Sequence, residues 1–145
     1  MAWGIAVVTF FALTIAGLGF LSLLTETDII SAPGLGQLPG VIGMLLAVVV
    51  FALALRAVLA VPRPSFVSSV FLALSAALVH LGGVWATAVA EGAGLARSTA
   101  VIGHLVLGGS SAVVAFAALI AAWVGIALRR THARRPRWPW EEQDE

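Results

Sequence analysis

Four apolar runs, at about residues 3–24, 41–61, 65–90 and 98–128, leave this chain few ways to fold. Each meets the roughly 20 consecutive apolar residues that a helix needs to cross a bilayer. Backbone groups inside hydrocarbon must bond to one another, so runs of this length become helices. The links between them are short. The sequence therefore predicts an all-α membrane protein, an antiparallel four-transmembrane-helix bundle over residues 1–128 with a tail at 129–145. Composition points the same way: 61% of the residues are hydrophobic, 10% are charged, and mean hydropathy is +1.06. A water-soluble domain carries far more charge than this.

The first run has no basic leader before it and no small-x-small cleavage pattern after it, so it reads as a retained span with Trp3 at the interface. Thr25 to Gly40 contains the turn pairs Pro33-Gly34 and Pro39-Gly40, and enough Ile and Leu to cap the bundle. Pro62-Arg63-Pro64 makes a tight link, since Pro62 stops one helix and Pro64 sits where the next begins. Glu91 to Arg97 reads as a hairpin link. Gly108-Gly109-Ser110-Ser111 marks a place where the last run can bend.

All eight basic residues are arginine. Arg56, Arg63 and five arginines of the tail fall on one side of the predicted bundle, and only Arg97 on the other. The positive-inside bias then makes both termini cytoplasmic. Arginine without lysine, in a chain rich in Ala, Val and Gly, points to a multi-pass protein of the bacterial plasma (inner) membrane. The tail is ordered by type: Arg129, Arg130, Arg134, Arg135 and Arg137 come first, then Trp138 and Trp140, then acidic residues. That order suits an interaction element at the membrane surface, and these seven residues are its candidates. The partners it implies are the lipid bilayer and a membrane protein or a second copy. No nucleic acid is expected.

Catalytic parts are scarce. The chain has no cysteine, no carboxylate within any apolar run, and no nucleophile, metal or phosphate motif. No enzyme activity and no metal site are expected. What remains are polar groups inside the spans: His80 and His104, with the hydroxyls of Thr87 and Ser111 beside them. Ionisable side chains at membrane depth are functional candidates because lipid does not solvate them. Helical spacing sets His80 among Ala73, Ala76, Ala77, Gly83 and Thr87, and His104 among Gly108, Ser111, Ala112 and Ala115. Such small-residue stripes bring membrane helices close, so the two rings are expected at similar depth, facing each other.

Three readings of that pair stay open. The histidines are structural, hydrogen-bonded across the hairpin; or they line a proton-linked path; or they ligate one haem, against which the small-residue stripes argue. The expected function is a non-enzymatic accessory or scaffold subunit without a cofactor, acting through helix packing and its tail. The alternatives are a small proton-linked transporter or channel with His80 and His104 in the path, and, more remotely, a haem-binding electron-transfer subunit.

Overall fold

The computed structural model describes residues 1–26 and 37–132. Its described residues form five helices: α1 (Ala2–Thr25), α2 (Leu38–Ala60), α3 (Val67–Ala90), α4 (Leu95–Leu107) and α5 (Ser110–His132). Four of them, α1, α2, α3 and α5, are long and apolar enough to cross a membrane. Residues 27–36 of the expected loop cap and the tail from residue 133 onward, with Arg134, Arg135, Arg137, Trp138 and Trp140, lie outside the described residues, and the expected turn at Pro39-Gly40 is already part of α2.

Local chemistry sets the helix ends. Pro39 lies in the first turn of α2, where its missing N–H leaves no bond unmade. Val61, the residue before Pro62, is extended at φ −72 and ψ 138, as a following proline requires. Glu26 closes α1 in the left-handed region at φ 50.

Small residues and a few large rings hold the helices together. Phe10 of α1 and Phe51 of α2 are fully buried with ring centroids 4.5 Å apart, and the Trp3 indole donates to the Ala52 carbonyl at 2.7 Å. Ala117, Ala118, Ala121 and Ala122 of α5 join the same core as Ala73 and Ala76 of α3. A Cβ added to Gly43 of α2 would lie 2.7 Å from Val84 Cγ2 and 2.8 Å from the His80 carbonyl oxygen of α3. Only glycine permits that approach. Near Gly125, a Cβ would meet Ala6 and Leu55; near Gly17, it would meet Val113. Early α1 thus meets late α2 and late α5, and early α2 meets late α3. Large apolar side chains such as Leu53, Phe71, Leu78 and Phe116 cover the outside, the distribution expected where lipid is the solvent.

Three features of the second half differ from the sequence expectation. The last run is not one span over 98–128 but two helices, α4 and α5. Gly108 N–H still bonds to the His104 carbonyl at 2.8 Å, but Gly109 turns to φ +83 and its carbonyl receives Val113 N–H to begin α5. Positive φ is open to glycine without steric cost, and here it stops one helix and starts another. The predicted hairpin link is also shorter. Gly92 and Gly94 take φ +83 and +78, Ser98 bonds to the Gly94 carbonyl through both its amide and its hydroxyl, and Arg97 is already helical. At the other end α5 runs on to His132, so Arg129 and Arg130 belong to the helix and not to a tail.

Candidate functional site: polar groups among the apolar helices

His80 lies on the buried stripe of α3 formed by Leu72, Ala73, Ala76, Gly83 and Val84. It is 5% exposed. The backbone of Gly43 lies within reach of its ring, a consequence of the glycine contact between α2 and α3. Its Nδ1 has no hydrogen-bond partner among the described residues. A buried polar atom without a partner is uncommon in folded chains and calls for an explanation.

His104 is placed differently. It is exposed on α4, whose buried face consists of Ser98, Val101 and Leu105. Val101 and Leu105 pack against Val84, with Leu81 and Ile102 beside them, and Trp85 Nε1 reaches Thr99 Oγ1 at 3.4 Å. The expected meeting of the two rings is therefore not found: one is inside and the other outside. Once Gly108-Gly109 interrupts the helix, α4 chooses its own buried face. Leu105 occupies it, and the preceding residue is turned about 100° away. The break also removes Ser111 from the stripe that uninterrupted helical spacing gives His104.

The hydroxyls are mostly spoken for. Thr87 donates to the Gly83 carbonyl at 2.7 Å, the local back-bonding open to a helical threonine, so it is not directed at His80. Ser111 is half-buried in the first turn of α5. Sequence reading passes over the buried Ser69 and Ser98 and takes the buried Ser110 only as part of the bend at Gly108-Gly109-Ser110-Ser111. Ser98 has a legible signal in its position four residues after Gly94, but Ser110 becomes a candidate only once the helix break is known. Ala76 of α3 and Val114 of α5 belong to the same buried cluster. His80 lies one turn beyond the first of these, and Ser110 one turn before the second.

Sequence reading also misses a cluster at the end of α5. Arg130 Nε donates to the Pro64 carbonyl at 2.9 Å, its guanidinium lies 4.5 Å from the Phe66 ring centroid, and Phe66 packs on Trp123 with centroids 5.7 Å apart. A signal was present in the arginines and aromatics shared by two helix ends, but their pairing depends on tertiary packing.

These positions limit cofactor chemistry. No group of three or more His, Cys, Asp or Glu side chains suited to a metal ion occurs among the described residues. Bis-imidazole haem ligation needs two rings facing one slot. With His80 buried where α2 and α3 touch through Gly43 and Gly83, and His104 exposed, the pair does not fit a porphyrin.

Residues 2–145 match the model of a family of unknown function, DUF6121. The chain belongs to the DUF6121 family. The match takes in all five helices and the arginine–tryptophan tail of this DUF6121 protein. No curated protein and no solved structure matches it.

Proposed function

We propose that this DUF6121 protein is a non-enzymatic accessory or scaffold subunit of the bacterial plasma membrane, packing against a partner membrane protein or a second copy. Its long helices form an antiparallel bundle with both termini in the cytoplasm. The helix pairings support the alternating directions, and the distribution of arginines supports the orientation.

The observation that carries the reading is His104 on the outer surface of α4. Val101 and Leu105, its neighbours on α4, pack beside Val84, six residues before the end of α3, or about 9 Å along a helix axis. A titratable ring at such a depth is costly against acyl chains and is stabilised by a protein neighbour that offers a hydrogen bond. A face of this kind serves assembly. The exposed Arg129 and Arg130 at the end of α5 belong to the same proposed interaction element as the remaining tail arginines and tryptophans.

The test is co-purification from native membranes, comparing the intact chain with one ending after Arg130. The intact chain brings down a defined membrane partner or a second copy, and the shortened chain loses it or holds it less. Recovery of a lone protomer from both sinks the scaffold reading.

A second reading, a small proton-linked transporter or channel, is favoured by one observation, the buried and unpartnered Nδ1 of His80. In that case water reaches the ring, and a pH-dependent flux in proteoliposomes disappears in His80→Leu. Flux that survives the substitution, or none at all from the native chain, removes this reading.

A further inference from the structure

We propose that Arg63, Arg129 and Arg130 form a binding site for the headgroup of an anionic phospholipid, with the acyl chains lying along Trp123 and the start of α3. The site goes beyond the scaffold reading and does not depend on it.

Arg130 is already positioned. Its Nε donates to the Pro64 carbonyl and its plane lies over Phe66, with Trp123 behind that ring. A guanidinium carries five N–H donors. One is taken by Pro64, and the four on the two terminal nitrogens suit the paired oxygens of a phosphate. Because the contacts with Pro64 and Phe66 fix the side chain, a ligand has little left to order.

Charge is concentrated around it. Arg63 immediately precedes Pro64, Arg129 immediately precedes Arg130, and all three arginines are exposed. No ion pair engages them among the described residues. The described carboxylates, Glu26 and Glu91, follow the other ends of α1 and α3. The contacts of Gly125 with Ala6 and of Arg130 with Pro64 set the beginnings of those two helices beside the end of α5.

The surroundings indicate an amphiphile and not a free anion. Trp123 is 54% exposed, and Val67, Val70 and Phe71 at the start of α3 are exposed as well. A phosphate on the arginines would leave apolar chains to run over these residues, which otherwise face the membrane uncovered. Arginines beside the ends of membrane helices attract anionic headgroups by about 1 kcal/mol each near a charged surface, about fivefold in affinity.

The full-length protein in nanodiscs of equimolar phosphatidylglycerol and phosphatidylcholine with matched acyl chains, at constant salt, is transferred to detergent, and its retained lipid is counted by native mass spectrometry. Phosphatidylglycerol is expected in at least fivefold excess. Arg130→Ala and Arg63→Gln each reduce that excess about fivefold, while Arg97→Gln, in α4, leaves it unchanged. Arg63→Gln disturbs no hydrogen bond among the described residues, so a folding defect in Arg130→Ala does not decide the matter. Equal retention of both lipids, or an excess untouched by Arg63→Gln, overturns the proposal. Displacement by inorganic phosphate irrespective of acyl chain identifies a free-anion site and overturns it too. A phosphatidylglycerol excess that is absent from the native chain and appears only when Glu141, Glu142, Asp144 and Glu145 are replaced by Gln identifies the chain's own acidic end as the occupant, with the same consequence.

Discussion

Replacing Gly43 with alanine places one methyl group where α2 and α3 touch. Its Cβ would lie 2.7 Å from Val84 Cγ2, 2.8 Å from the His80 carbonyl oxygen and 3.1 Å from the Val84 amide nitrogen. The valine methyl can rotate aside, but the two backbone atoms cannot. Restoring an ordinary contact of 3.4 Å or more moves the helices apart by roughly 0.5 Å, and a gap of that size forfeits about a quarter of each neighbouring dispersion contact. Overpacking of this kind costs about 1–3 kcal/mol. In lipid, tight packing is what holds helix to helix, so the expectation is about 2 kcal/mol. Gly82→Ala is the control, because its added Cβ meets nothing within 4 Å. Unfolding in mixed micelles titrated with sodium dodecyl sulfate, followed by far-ultraviolet circular dichroism, reads the difference. Gly83→Ala strikes the same contact from the other side, with its Cβ 2.9 Å from Gly43 Cα, so the double variant should lose less than the sum of the single ones. Should Gly43→Ala unfold at the same detergent fraction as Gly82→Ala, the proposed contact between α2 and α3 is wrong.

Gly109→Ala tests the break between α4 and α5: its φ of +83 is unfavourable for alanine although no atom lies within 4 Å of the added Cβ, so unfolding should show a loss of about 1–2 kcal/mol, against no loss for Gly103→Ala. Phe51→Ala removes half of the buried ring pair and should cost about 3 kcal/mol in the same titration, whereas Phe71→Ala on the exposed face of α3 should change little. His80→Leu removes an imidazole whose Nδ1 has no partner among the described residues. Its stability should therefore stay within about 1 kcal/mol of the native chain, and a loss above about 2 kcal/mol would reveal a hydrogen bond that matters.

Much of this fold is legible in the sequence, because lipid imposes one dominant rule. Apolar runs of sufficient length, bounded by Pro39, by Pro62 to Pro64 and by glycines, mark α1, α2 and α3 almost to their ends. The interruption at Gly108-Gly109 is legible as a possible bend but not as a division, since glycine permits positive φ without demanding it. That single uncertainty propagates to the site. With an unbroken helix His104 belongs on the stripe shared with Ser111; with the break it belongs to α4, and Val101 and Leu105 take the inner positions. His80 was easier, because Ala73, Ala76 and Gly83 define one uninterrupted stripe on α3. The grip of Pro64 and Phe66 on Arg130 joins residues far apart in the chain and leaves no periodic trace.

The reading of this protein as a subunit that packs against another protein rests on what covers the outer face of α4. A photo-reactive amino acid such as benzoylphenylalanine, introduced at position 104 and irradiated in native membranes, tests it directly, with position 71 as the lipid-facing comparison. Protein adducts of one defined mass at position 104, and only lipid adducts at position 71, are the predicted outcome; lipid adducts alone at both positions would contradict it.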